Sequence, residues 1–92
     1  MKPSKKAVAA VKEEIRLTDR QNEVLAFVSA FIEENEYPPT RGEICLHFGF
    51  KSPTAAYDHL KALEKKGLVK VFKGCSRGVK VLQFGKDLLQ VA

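Results

Sequence analysis

Three closely spaced helix-start signals constrain this chain more than any other feature of its sequence. Thr18 with Gln21, and Thr40 with Glu43, each form a capping box, in which two side chains satisfy backbone N–H groups that the first helical turn leaves unpaired. Ser52-Pro53 is a third start, because a serine hydroxyl accepts hydrogen bonds from first-turn amides and proline suits the first helical position. The sequence therefore predicts three short helices with short connections.

Helix-ending residues and apolar spacing bound these helices. The first begins at Asp19 and ends before Pro38, the second is about two turns long and closes at Gly49, and the third covers residues 53–66. The residues predicted to face the core are, helix by helix, Val24, Phe27, Val28, Phe31 and Ile32; Ile44, Cys45 and Phe48; and Ala56, Leu60 and Leu63.

After Gly67 the apolar period changes from helical to alternating. Two valine-rich runs, 69–72 and 79–82, flank a loop with two glycines, which is the pattern of a β-hairpin. The second and third helices, joined by a turn that contains Gly49, make a helix-turn-helix. The predicted fold class is therefore mainly α with a small β-hairpin: a winged helix-turn-helix of three helices and a two-stranded wing.

The chain divides into one domain and two flanking segments. Residues 17–82 are predicted to form the winged helix-turn-helix domain. Residues 1–16 are an N-terminal extension whose apolar residues recur at near-helical spacing. Residues 83–92 are a C-terminal tail whose apolar side chains either dock on the core or on a partner. No stretch of the sequence is long and apolar enough for a membrane span.

The charge of the chain is concentrated in one segment. The net charge is +5, and residues 53–82 alone hold seven basic and two acidic residues. Such a segment is expected where the partner is a polyanion, because lysine and arginine that neutralise phosphates release counterions. A solvated lysine face has the same composition, so the position of the charges has to decide between the two interpretations.

The third helix carries its polar residues on the face opposite its core positions. A helix with one face buried can present the other face to base edges in the major groove of DNA. We therefore expect helix 53–66 to be a recognition helix, although an ordinary surface helix would show the same pattern. The candidate base-reading residues are Thr54, Ala55, Tyr57, Asp58 and Lys61.

Phosphate contacts are expected around this helix and on the wing at residues 69–82. These contacts position the domain and set its salt dependence without reading sequence. The candidates are Arg41, Lys51, Ser52, Lys66, Lys73, Ser76 and Arg77. Arg77 would enter a minor groove instead if the wing lay against one.

Metal and catalytic sites are not expected. A zinc site would have to use Cys45, His47, His59 and Cys75, but these residues lack the pairwise spacing of zinc ligands. The two cysteines are expected to be reduced thiols. No nucleophile elbow, phosphate-binding glycine loop or carboxylate pair stands out. We expect no metal, no cofactor and no enzymatic activity.

Five segments of the chain follow the pattern of one known family. They are residues 17–21 (LTDRQ), 37–44 (YPPTRGEI), 49–53 (GFKSP), 59–67 (HLKALEKKG) and 76–78 (SRG). Together they resemble the N-terminal DNA-binding domain of the LexA family of bacterial SOS repressors. The resemblance spans residues 17–82. It implies a three-helix winged domain whose third helix enters the major groove, in a repressor that binds palindromic operators as a dimer.

Two departures limit what the resemblance transfers. LexA proteins continue into a second domain that holds a Ser-Lys self-cleavage dyad and the main dimer interface, so we expect this chain to be a standalone domain without self-cleavage. Familiar LexA sequences carry Asn at the position of Thr54 and glutamates at those of Tyr57 and Asp58. Because these positions are expected to read bases, the operator should differ from the usual SOS box.

The leading hypothesis is a sequence-specific transcriptional regulator, expected to be a repressor, in the cytoplasm of a bacterium or a phage-infected host. One small module buries limited surface, so useful affinity would need a homodimer on paired half-sites, with residues 1–16 or 83–92 as its contact, or help from a protein partner. Alternatively, Lys2, Lys5 and Lys6 form a basic arm on DNA. The alternative function is a winged-helix protein-interaction module that modulates another regulator or polymerase, since Tyr57 would suit a protein partner.

Overall fold

A computed structural model describes residues 17–90 of the chain. The elements of this part are α1 (Asp19–Asn35), α2 (Arg41–Phe48), α3 (Pro53–Lys65), β1 (Val69–Val71), β2 (Val79–Val81) and α4 (Gln83–Leu89). The predicted fold class is confirmed, with α4 as an additional helix. None of the helices described is long and apolar enough to cross a membrane. The predicted helix and basic arm within residues 1–16 lie outside the described residues.

Both predicted capping boxes are present. The Thr18 side chain accepts a hydrogen bond from the Gln21 backbone N–H at 3.1 Å, and the Gln21 side chain accepts one from the Thr18 N–H at 3.2 Å. Thr40 and Glu43 are joined in the same way, at 3.0 and 2.8 Å. α1 and α2 therefore begin where these local signals place them, because each box satisfies donors that would otherwise be unpaired.

The third helix begins as predicted, but by a different interaction. The Ser52 side chain makes no capping hydrogen bond, so the predicted serine cap is wrong. Pro53 has no N–H to cap, and the amide of Ala55 donates to the backbone carbonyl of Ser52 at 3.1 Å. The helix ends at Lys65, one residue before the predicted end.

The core lies where α1, α2, α3 and the hairpin meet. Its buried apolar side chains are Val24, Leu25, Val28, Ile44, Ala56, Leu60, Leu63, Leu68, Val69, Val79, Val81 and Leu88. In α1, Leu25 is fully buried although it is not among the predicted core residues. Phe27 and Ile32 are half-buried and pack against the core as predicted, and Phe31 is half-buried with its ring centroid 5.9 Å from that of Phe27. Predicted core residues Cys45 and Phe48 are also half-buried.

The hairpin is short and antiparallel, and α4 follows it directly. Val69 pairs with Val81 and Val71 with Val79. The side chain of Leu88 is buried, so α4 docks on the core, which is one of the two alternatives predicted for the C-terminal tail. The backbone of Gly85 approaches the Leu68 carbonyl so closely that a Cβ at this glycine would overlap the carbonyl oxygen.

Glu64 joins α3 to the hairpin. One of its carboxylate oxygens accepts a hydrogen bond from the backbone N–H of Val71 at 2.7 Å, and the other accepts one from the Lys61 ammonium group at 2.7 Å. Both bonds lower the pKa of Glu64 below its ordinary value, and the bond from Lys61 has the larger effect. The orientation of the wing relative to α3 therefore depends in part on an ionised side chain.

Replacing Gly85 with alanine is expected to lower the free energy of unfolding by about 1–3 kcal/mol, because the added methyl group would overlap the Leu68 carbonyl. Gly42→Ala in α2 is the matched control, since its Cβ would meet only Thr40 Oγ1, at 3.7 Å. That variant should gain about 0.5–1 kcal/mol from helix propensity. Urea unfolding measures both changes, and a stabilised Gly85→Ala variant would contradict the close approach.

The contribution of Glu64 to stability should depend on pH. Because its pKa is lowered in the folded state, the stabilisation is complete above the ordinary pKa of a glutamate and is lost as the pH falls through the lowered value. Between about pH 7 and about pH 3, the Tm of Glu64→Gln should therefore fall less than that of the wild type. Glu33→Gln, at an exposed position of α1, is the control. Parallel Tm curves for Glu64→Gln and the wild type would disprove this role.

Candidate nucleic-acid interface

α3 has one face in the core and one face in solvent. Ala56, Leu60 and Leu63 are buried, with 0%, 3% and 0% of their surface exposed. Thr54, Asp58 and Lys61 are exposed, and Ala55 and Tyr57 are half-buried between the two faces. The two faces are those that the helical spacing predicts. α3 therefore has a free polar surface of the kind that can enter a groove.

A cation–π contact joins α2 to α3. The guanidinium carbon of Arg41, at the first position of α2, lies 4.0 Å from the centroid of the Tyr57 ring in the second turn of α3. A guanidinium at this distance is attracted by the negative face of the ring. The structure thus pairs a predicted phosphate ligand with a predicted base reader.

A second arginine joins the wing to the start of α2. Arg77 donates hydrogen bonds to Glu43 Oε1 at 2.6 Å, to Glu43 Oε2 at 3.4 Å and to the Pro38 carbonyl at 2.8 Å. Its guanidinium carbon lies 4.6 Å from the Tyr37 ring centroid. The hydrogen bond between the two side chains lowers the pKa of Glu43 and raises that of Arg77. Both side chains are between a third and a half exposed, so solvent weakens the pair but does not separate it.

A groove of about 390 Å³ separates the wing loop from the N-terminus of α2. Thr40, Arg41 and Gly42 line one side, and Gly74, Cys75 and Ser76 line the other. Arg41 and Ser76, two of the predicted phosphate ligands, therefore lie on opposite walls of the same open groove. Arg41 on the wall of this groove also contacts Tyr57 on the flank of α3.

Two of the predicted lysines are paired with neutral or acidic side chains. The Lys61 ammonium group donates to Glu64 Oε1 at 2.7 Å, and that of Lys66 donates to Gln21 Oε1 at 2.9 Å. Lys66 therefore extends from the end of α3 to the capping box of α1. Among the other predicted phosphate ligands, Lys51, Lys73 and Ser76 are exposed, and Ser52 is half-buried before α3.

Three residues that hold this surface together are absent from the predicted site. Tyr37 and Glu43 position Arg77, and Glu64 connects α3 to β1. The sequence predicts Glu43 only as part of a capping box. In the structure its side chain accepts hydrogen bonds from both the Thr40 N–H and the Arg77 guanidinium. The Arg77–Glu43 contact joins residues 34 positions apart, so no local sequence pattern points to it.

The residues considered as zinc ligands lie in different surroundings. His47 stacks on Phe27 with ring centroids 4.1 Å apart, and His59 stacks on Phe50 at 5.1 Å. The Cys45 thiol donates to the Phe50 carbonyl at 3.1 Å, and Cys75 is exposed on the wing loop. Over residues 17–90, no three His, Cys, Asp or Glu side chains are grouped so that they could hold a metal ion.

The sequence is similar to known repressors over most of the described residues. It is 51% identical over 70 residues to the LexA repressor of Pseudomonas chlororaphis, and the aligned residues are 76% of this chain and 35% of that protein. It is 52% identical over 68 residues to the LexA repressor of Marinomonas sp. (strain MWYL1), which covers 74% of this chain and 33% of that protein. The chain thus matches about a third of the length of these relatives.

A model of the LexA DNA binding domain matches residues 14–78. The match includes α1, α2, α3 and β1, and it ends in the wing loop directly after Arg77. It therefore contains both arginine contacts described above as well as the exposed face of α3. On the match to this model and on the identity to the repressors, the chain belongs to the LexA DNA-binding domain family.

Proposed function

We propose that this chain is a sequence-specific transcriptional repressor domain that binds double-stranded DNA. The observation that carries the proposal is the exposed polar face of α3, which is bordered by Arg41 and held next to a basic wing. Membership in the LexA DNA-binding domain family supports it, and so do relatives that are named LexA repressors. The domain acts by occupying DNA and not by catalysing a reaction.

In this proposal α3 lies in the major groove. Thr54 and Ala55 in the first turn contact base edges, the Thr methyl group being suited to the methyl group of thymine. Asp58 accepts a hydrogen bond from N4 of a cytosine. Lys61 donates to guanine after its ammonium group exchanges Glu64 for the base, so its contact is made at the expense of an existing ion pair.

The wing lies on the sugar–phosphate backbone. Lys70 and Lys80 are exposed and directly opposite each other in the antiparallel ladder, an arrangement that repulsion destabilises. Phosphates beside the pair would remove this repulsion. Lys73 and Ser76 extend the same contact, and Arg77 uses the N–H donors that Glu43 and Pro38 leave free. Lys51, Ser52 and Lys66 contact phosphates at the two ends of α3.

A domain of this size buries limited surface on DNA, so two copies on paired half-sites, or help from a protein partner, would raise its affinity. We propose as the contact between copies residues 1–16, or the side of residues 83–92 that α4 leaves off the core. A bacterial or phage-infected cytoplasm is the compartment in which such a repressor would meet its operator. A docking module for another regulator is the competing function, but the Tyr57 ring that favoured it is covered on one side by Arg41.

Binding to DNA should depend steeply on salt. If the lysines and arginines of α3 and the wing neutralise phosphates, the affinity for random duplex DNA should fall at least tenfold between about 50 and about 200 mM salt. Fluorescence anisotropy with a labelled duplex measures this dependence. A protein-docking module would bind the duplex weakly at every salt concentration, and that result would contradict the proposal.

Two single variants should separate base reading from phosphate binding. Asp58→Ala should change the base preferred at one position, by about 1–3 kcal/mol in discrimination. Lys73→Ala on the wing should weaken binding to all sequences alike and reduce the salt slope by about 1. Selection from a random duplex pool, followed by titration of single-base variants, measures both. The assignment fails if Lys73→Ala changes the consensus or if Asp58→Ala leaves it intact.

A further inference from the structure

We propose that Arg41 and Tyr57 form one specificity-determining unit, in which the Tyr57 ring holds the Arg41 guanidinium beside α3 and Arg41 donates to O6 and N7 of a guanine. Tyr57 is then a positioning residue, and the residue that contacts the base comes from α2. The inference rests on the proposed function, because it requires that α3 lies in the major groove.

The geometry of the contact supports this pairing. At 4.0 Å, the Arg41–Tyr57 contact is the shortest of the arginine–aromatic contacts in the described part of the chain; Arg20 lies 5.5 Å from the Phe48 ring centroid and Arg77 4.6 Å from that of Tyr37. Attraction between a cation and a ring increases as they approach. The Arg41 guanidinium therefore has a preferred place beside α3 before any ligand binds.

Among residues 17–90, the Arg41 guanidinium has no hydrogen-bond acceptor. Arg20 pairs with Glu23, and Arg77 with Glu43 and the Pro38 carbonyl, whereas no hydrogen bond or ion pair within residues 17–90 involves the Arg41 guanidinium. An aromatic face attracts the positive charge but offers no lone pair, so the N–H donors stay available. A positioned guanidinium with free donors suits a bidentate acceptor.

The place of Arg41 in the fold favours a base over a phosphate as the acceptor for its guanidinium. Tyr57 lies directly before Asp58 and three residues after Thr54, on the flank of the face that is proposed to enter the groove. A guanidinium held over this ring is next to the base-reading face. The acceptor pair that a guanidinium matches in the major groove is O6 and N7 of guanine.

The test measures base discrimination at each operator position for the wild type and four variants. Tyr57→Phe keeps the ring and should keep both the consensus and the affinity. Tyr57→Leu removes the ring face, and Arg41→Lys removes the bidentate fork. Each should lose about tenfold discrimination at the same G·C pair, and the Tyr57→Leu/Arg41→Lys double variant should lose no more than either single variant.

The test needs a control variant and a control measurement. Arg20→Lys, at another arginine that lies over aromatic rings, should leave discrimination unchanged. Thermal unfolding should show that each variant is folded at the temperature of the assay. If a single variant is not folded there, Tyr57→Met and Arg41→Gln provide the same comparison.

Several outcomes would overturn the inference. Loss of discrimination in Tyr57→Phe would show that the hydroxyl group of Tyr57 reads the base itself. An equal loss of affinity for all sequences in Arg41→Lys, with a smaller salt slope, would show a phosphate contact. A wild type that selects a consensus which Tyr57→Leu and Arg41→Lys both keep would disprove this inference alone. A wild type without sequence preference would contradict the proposed function as well.

Discussion

The burial of one face of α3 is the constraint on which the rest of this structure depends. Ala56, Leu60 and Leu63 are enclosed by α1, α2 and β1, so the rotation of α3 about its axis is set by core packing. The polar residues opposite them must then face solvent. A shift of one residue in that packing would turn α3 by about 100° and change which of its residues face solvent. The candidate interface is thus a consequence of the core.

Contacts of charged side chains with neighbouring elements complete the surface that the core exposes. Arg77 connects the wing to α2, Arg41 connects α2 to α3, and Glu64 connects α3 to the hairpin. These side chains are partly exposed, and each contact contributes little to stability. They connect the wing, α2 and α3, and under the proposed function such connections would hold the hydrogen-bond donors in place before DNA binds.

Helix starts and ends, the hairpin and the core face of α3 could be predicted from the sequence. The caps and the core face of α3 depend on residues within four positions of one another, such as Thr40 with Glu43 or Leu60 with Leu63, and each strand of the hairpin shows its own alternating run. The burial within α1 was less well predicted, because Leu25 and Phe27 are both apolar and only the neighbouring elements decide which one is enclosed. The Ser52 cap was wrong for a local reason, since the Ala55 amide donates to the Ser52 carbonyl and the Ser52 side chain makes no capping bond.

For the candidate site, the sequence by itself determined which residues lie on the exposed face of α3 and which basic residues surround it. Only the tertiary structure decided how those residues are arranged with each other. Arg41 is a predicted phosphate ligand and Tyr57 a predicted base reader, and the Arg41 guanidinium carbon lies 4.0 Å from the centroid of the Tyr57 ring. Arg77 is hydrogen-bonded to Glu43, 34 positions away. Helical periodicity and capping are short-range effects that the sequence displays directly. The partner of a long side chain is chosen by packing between elements, which no local pattern encodes.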